Sequence, residues 1–169
     1  MFGSRRARNL RVLVSPGFLL LGALGLFLLT SGNSRGDEAK SAVPWTTPQT
    51  IQPGDFVREL TDKTSAAPTI VYVGFRTLFA GGHIPSASFH GSPSSEQGLA
   101  ELKKWADTLP RSTNLVIYCG CCPLEKCPNI RPAFTALRDM GFQKLRVLLL
   151  PTSFVADWVD KGYPTQKGT

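Results

Sequence analysis

The chain has 169 residues, 19 of them basic and 12 acidic, a formal net charge of +7 and only two histidines. Four arginines, Arg5, Arg6, Arg8 and Arg11, crowd the N-terminus, and without them 15 basic residues face 12 acidic ones, with no Lys/Arg run and no aromatic–basic interleaving. That excludes a nucleic-acid footprint.

Behind the arginines, Val12 to Ser34 carries no charge and Gly17 to Leu29 is strongly apolar. Residues 1–32 therefore read as a signal peptide or membrane anchor. The basic flank stays in the cytoplasm and directs the rest outward. Thr30-Ser31-Gly32 offers small residues for cleavage; the length of the uncharged run and the lack of a clear Ala-x-Ala site favour an anchor. Either way the expected location is extracytoplasmic, on the periplasmic side of a bacterial cell. Residues 33–49 are polar, with Pro44 and Pro48, and read as a flexible linker. Residues 50–169 are long enough for one domain around one core.

Within that domain, Pro53-Gly54-Asp55 opens a helix with Phe56, Val57 and Leu60 on one face. Thr69 to Phe75 is β-branched and aromatic and predicts a buried parallel strand. Arg76 to Gly82 reads as a loop, and Ala87 to Phe89 as a short strand. Ser95 to Leu109 has Leu99, Leu102 and Trp105 or Ala106 at helical spacing, and Pro110 ends it. Leu115 to Tyr118 is the expected central strand. Ile130 to Met140 is a helix with Ala133, Phe134 and Leu137 on one face and Gly141 as its C-cap. Leu145 to Leu150 is a further apolar strand. Pro151 to Asp160 is a last helix burying Phe154, Val155 and Trp158, and Gly162-Tyr163-Pro164 stops it. Strands apolar on both faces, alternating with helices, predict an α/β sandwich with a central parallel sheet. Ligands of such sheets bind beyond the carboxyl ends of the strands.

All four cysteines lie at such an end, in Cys119-Gly120-Cys121-Cys122-Pro123-Leu124-Glu125-Lys126-Cys127-Pro128-Asn129. A strand that ends in a thiol, a loop and then a helix N-terminus is a place to hold a thiolate. Loop N–H groups and the helix dipole both favour an anionic sulfur. A structural disulfide cluster is the plainer reading, but a staple acts by closing long loops, and these cysteines tie nothing distant together.

Four features resemble a single rhodanese domain, of the thiosulfate sulfurtransferase family. Gly82-His83-Ile84-Pro85-Ser86-Ala87 is similar to the family's Gly-His-Ile-Pro-Gly-Ala. Val116-Ile117-Tyr118-Cys119 resembles the strand that delivers its catalytic cysteine. Ala133, Leu137, Gly141 and Phe142 follow the spacing of its next helix, and Trp158 with Gly162-Tyr163-Pro164 resembles its C-terminal signature. There are also departures. Gly74-Phe75-Arg76 stands where the family has Asp-Val-Arg, and Pro151-Thr152 where it has Gly-Gly. The active loop is longer, with Asn129 at the position of the family's loop arginine and Arg131 two residues beyond as the available substitute.

The resemblance implies a persulfide on Cys119, which takes sulfur from a small donor and passes it to a thiol or other nucleophile, without a cofactor. Cys122 and Cys127 are candidate resolving or relay thiols. Arg76, Lys126 and Arg131 are candidates to draw an anionic donor. His83 matches a structural turn residue, and His90 has no flanking ligand at metal spacing. Phosphatase chemistry on this fold needs Cys-x5-Arg; six residues after Cys119 is Glu125 and six after Cys121 is Cys127, so it is disfavoured. The rival from another class is a thiolate metal module for Zn or Cu, drawing on Cys119, Cys121, Cys122 and Cys127. A third reading is an inactive rhodanese-like binding domain.

Overall fold

A computed structural model describes residues 43–168. The expected signal or anchor segment and most of the expected linker lie outside the described residues. Among the described residues no helix is long and apolar enough to cross a membrane.

Five short strands form the sheet: β1 (Thr50–Ile51), β2 (Thr69–Tyr72), β3 (Ser88–Phe89), β4 (Asn114–Tyr118) and β5 (Lys144–Leu148). Their spatial order is β1-β5-β4-β2-β3, and all neighbours run parallel. Parallel neighbours need crossovers, and five helices accompany the strands: α1 (Pro53–Thr61), α2 (Arg76–Gly81), α3 (Glu96–Ala106), α4 (Ile130–Asp139) and α5 (Phe154–Asp157). The fold class is therefore as expected, a single α/β domain with a helix-flanked parallel sheet.

β4 is central, and its side chains alternate between two cores, as the two-residue period of a strand requires. Leu115 and Ile117 join Val71, Val147 and the buried faces of α3 and α4, led by Leu102, Phe134 and Leu137. Val116 and Tyr118 join Ile70, Tyr72 and Leu148 under Phe56 of α1, Phe79 of α2, Phe154 of α5 and Trp158. Leu115 to Tyr118 are wholly buried. At roughly 2 kcal/mol for each large apolar side chain, this strand is the least movable part of the sheet. Cys119 continues the alternation onto the α3–α4 side.

The structure corrects several expectations. Arg76 to Gly82 is not an open loop: α2 occupies Arg76–Gly81, because Phe79 can bury against Tyr72 with ring centroids 5.7 Å apart. The adjacent glycines Gly81 and Gly82 obscure that short helix in the sequence. The strand expected to reach Phe75 ends at Tyr72, and Phe75 is instead the extended N-cap of α2. Thr50 and Ile51 pair with Val147 and Leu148 as an edge strand. The last helix is shorter than expected and passes into a 3₁₀ turn, Val159–Lys161, with Gly162 closing it at φ 73°. Val155 faces solvent at 57% exposure. The C-terminal end of the expected linker is docked. Trp45 is buried edge-on against Phe134 at 5.5 Å, and Thr47–Gln49 form a 3₁₀ turn whose Thr46–Gln49 capping box closes it.

Candidate active site

The site begins where β4 stops. Gly120 has φ 116°, in the region that favours glycine. A Cβ there would lie 2.7 Å from Cβ of Phe154 and 2.9 Å from its N. The close approach lets Phe154 N–H donate to the Gly120 carbonyl at 3.1 Å, which fixes the first bend of the loop against α5. Further on, Leu124 N–H donates to the Pro151 carbonyl at 3.2 Å, so the loop is also tied to the segment after β5. A 3₁₀ turn, Leu124–Lys126, then brings Cys127 back to the start of α4, with Cys127 N–H donating to the Leu124 carbonyl.

This path gathers the sulfurs. Sγ of Cys119 and Cys121 are 3.1 Å apart, and Sγ of Cys121 and Cys122 are 3.4 Å apart. The sulfurs of Cys119, Cys121 and Cys127 all lie within 4.8 Å of one another. All four thiols are free. Cys119 and Cys127 are buried, at 3% and 2% exposure, while Cys121 and Cys122 are half-buried. The cluster therefore has a closed inner pair and a more open outer pair.

The environments of the thiols differ. Cys127 is held down to about 6, first by the neighbouring Cys119 thiol and, against its own burial, by the backbone N–H groups of Asn129 and Ile130 at the start of α4. The Cys119 thiol is pushed far up, first by the neighbouring Cys127 sulfur and then by burial. Cys122 is pushed up to about 12, chiefly by desolvation and then by Cys121. The two buried thiols are thus shifted in opposite directions, Cys119 up and Cys127 down. The sulfurs also act on the sheet: burial, then Cys119 and Cys121, push the Tyr72 hydroxyl above its ordinary range. Tyr118, next to Cys119, spends its hydroxyl accepting Ile84 N–H at 3.0 Å.

The sequence candidates separate. Cys119, Cys121 and Cys127 come together, with Cys122 alongside Cys121. Arg76 is exposed and stacks over the Phe89 ring, 4.6 Å from its centroid. Lys126 is exposed and lines a surface hollow of about 320 Å³ with Pro123, Leu124 and Pro151. Arg131 turns back over the loop and donates to the Glu125 carbonyl at 2.9 Å. Its role is to clamp the loop, and its buried Nε has no partner.

Asn129 is wholly buried. Its Oδ1 accepts Ser94 N–H at 2.9 Å, its carbonyl accepts Ala133 N–H, and its Nδ2 has no partner. Asn129 is thus a neutral amide that joins the start of α4 to the start of α3. His83 is structural: it stacks on Phe79 and its Nδ1 lies 2.8 Å from the Phe79 carbonyl. His90 stacks on Trp105 and its Nε2 lies 3.0 Å from Ser88 Oγ.

Two features had weak sequence signals. The first is the buried Cys127 beside Cys119 and Cys121, signalled only by Cys-Pro-Asn directly before an amphipathic run. The second is a hollow of about 320 Å³ on the far side of Gly120, walled by Tyr72, Leu78, Phe154 and Val155. It depends on packing between α2 and α5 and has no local signature.

No family model and no curated protein matches the chain. Solved structures do. The rhodanese-like domain of an Anabaena sp. protein, determined in solution by NMR, is 22% identical over 70% of this chain and 79% of that one, with a TM-score of 0.53. A Bacillus halodurans protein is 16% identical over 71% of this chain and 77% of that one, also at 0.53. A thiosulfate sulfurtransferase of Pseudomonas aeruginosa is 21% identical over 71% of this chain and 19% of that one, at 0.49. Identities this low speak to the fold. By its parallel sheet, the position of Cys119 after the central strand and this likeness, the described part of the chain has the fold of a rhodanese-like domain, with a cysteine-rich loop at the end of β4.

Proposed function

We propose that the domain is a sulfurtransferase that carries sulfane sulfur as a persulfide on Cys119 and passes it to a thiol. The observation that supports this most is the placement of the buried Cys119 directly after the central strand β4, with the buried Cys127 brought beside it just before α4. In the first step the Cys119 thiol gives its proton to the Cys127 thiolate, and the Cys119 sulfur forms a bond to the outer sulfur of a small donor such as thiosulfate. The donor's S–S bond breaks and its electron pair leaves with sulfite. In the second step an acceptor thiolate bonds to that outer sulfur and the Cys119 thiolate leaves. No net oxidation occurs and no cofactor is required.

Cys127 takes the proton of Cys119, so the pair can expose one nucleophilic sulfur without burying two charges. The N–H groups of Asn129 and Ile130 favour negative sulfur at the pair; such preset dipoles act where charge develops. Asn129 replaces the loop arginine, so recognition of the donor rests on amides and thiols more than on a guanidinium. Cys122, half-buried and 3.4 Å from Cys121, is the candidate outlet toward an external thiol. We further propose that the N-terminal segment holds or sends the domain to the extracytoplasmic side of the membrane.

Single-turnover loading of the reduced protein with thiosulfate or a cysteine persulfide, with the added sulfur atom located by peptide mass, tests the assignment. Cys119→Ser should abolish loading. Cys127→Ser should still load Cys119, with its pH profile moved upward because the thiolate that takes its proton is lost. Cys122→Ser should load and then transfer abnormally. Loading of Cys122 or Cys127 at the wild-type rate in Cys119→Ser would overturn the assignment, and so would a reduced wild type that takes no sulfur from any donor.

A further inference from the structure

The four thiols do more geometrically than a persulfide on Cys119 needs. We propose that Cys119, Cys121 and Cys127 form a three-thiolate site for a soft monovalent cation, and that Cu(I) is the ion it fits. This inference does not rest on the sulfur-transfer reading, although the two share Cys119 and Cys127.

The spacing is the first argument. The three sulfurs lie within 4.8 Å of one another. A metal–thiolate bond is about 2.3 Å, so one ion between them reaches all three once the 3.1 Å contact between Cys119 and Cys121 opens. Cys121 is half-buried on the open side of the cluster, so it is the thiol free to make that adjustment.

The ligand count is the second argument. A structural zinc site wants four ligands, and among the described residues no fourth group joins the three. Cys122 reaches Cys121 but lies outside the converging set. Both histidines are engaged elsewhere, His83 with the Phe79 carbonyl and His90 with Ser88 and Trp105. Glu125, the only acid in the loop, is exposed. Soft thiolates without a fourth ligand favour Cu(I) over a harder divalent ion.

The surroundings are the third argument. Three thiolates around one monovalent cation carry two net negative charges, which burial would oppose unless donors surround them. Cys127 lies three residues before the start of α4, whose first N–H groups offer partial positive charge. Asn129, the N-cap of α4, and Arg131 in its first turn carry two buried donors without partners, Nδ2 and Nε, and the Arg131 guanidinium donates to the Glu125 carbonyl of the loop. The burial of Cys119 and Cys127 would shield a bound Cu(I) from solvent, while the half-buried Cys121 would let it enter and leave by ligand exchange.

The test is a competition titration of the full-length protein, reduced and kept free of oxygen, in which Cu(I) is offered as its complex with a chromogenic chelator. The expected result is withdrawal of one Cu(I) per chain, with X-ray absorption showing sulfur ligands only, three at about 2.3 Å. Cys121→Ser should weaken binding by at least about tenfold, and Cys122→Ser should bind as wild type. Thermal melting of each metal-free variant separates a lost ligand from a lost fold, and Cys127→Ser provides a second ligand variant. No uptake of Cu(I) would overturn the proposal. So would Zn(II) held by four sulfurs in preference to Cu(I), or equal losses in Cys121→Ser and Cys122→Ser. Persulfide loading is read on metal-free protein, so either idea can fail while the other stands.

Discussion

Two buried cysteines with opposite shifts are the central fact at the scale of residues. The strand-end thiol is shifted up and the helix-start thiol down, the latter first by its Cys119 neighbour and then, against burial, by the N–H groups of Asn129 and Ile130. Cys127 is held at about 6, below the ordinary 9.0 of a thiol, so it is anionic at neutral pH and takes a proton as pH falls through about 6. Cys119 is shifted the other way and stays protonated across that range. Metal-free reduced protein should therefore show one thiolate absorbance step with a midpoint near 6, lost in Cys127→Ser and kept in Cys122→Ser. A single step near 9 in the wild type would mean that the start of α4 does not act on Cys127. The position of Cys119 was legible from Val116-Ile117-Tyr118-Cys119, because a buried β-branched run announces its own end. The position of Cys127 was not, because nothing local says that residues 120–126 fold back to put it beside Cys119.

The elements are joined at the opposite end of the sheet by a charged clasp. Arg146 of β5 donates to both carboxylate oxygens of Glu59 in α1, at 2.8 and 2.7 Å, and to Asn114 Oδ1 of β4 at 2.8 Å. Asn114 in turn donates to Glu59 at 3.2 Å. The group is only about a quarter exposed at its ion pair, with side-chain exposures of 22% and 25%. A bidentate, partly buried pair is stronger than an open surface one. Arg146 holds the Glu59 carboxyl below its ordinary 4.5. Its stabilisation is therefore complete above 4.5 and is lost as pH falls through the lowered folded value. Glu59→Gln should cost about 1 kcal/mol at neutral pH, measured by urea unfolding. That difference should shrink toward zero in acid, so a cost unchanged by acid would assign it to packing instead. Neither Glu59 nor Arg146 was singled out in the sequence, since their meeting depends on the β1-β5-β4 order of strands.

For the molecule as a whole, the two apolar clusters on the faces of the sheet carry the fold, and the cysteine loop is held at one end of it by Gly120, Leu124 and Arg131. The proposed location concerns the full chain. Arg5, Arg6, Arg8 and Arg11 precede the uncharged run from Val12 to Ser34, and a basic flank of that kind stays in the cytoplasm. A reporter fused after Thr169 should be active if it works only outside the cytoplasm, and silent if it works only inside. The reverse pattern in a bacterial host would remove the extracytoplasmic part of the proposal.

By itself, the sequence determined the class of fold, the central strand, the helix that follows the cysteines and the end of the sheet where the site lies. Those features are written in local patterns: apolar runs, helical spacing, and glycine and proline at the breaks. Only the tertiary structure decided which thiols meet. It brought Cys119, Cys121 and Cys127 within 4.8 Å of one another, buried Trp45 on Phe134 and turned Arg76 and Arg131 to other partners. The reason is physical: a loop's path is set by contacts with distant elements, here Phe154 and Pro151, and such contacts leave no period in the residues that make them.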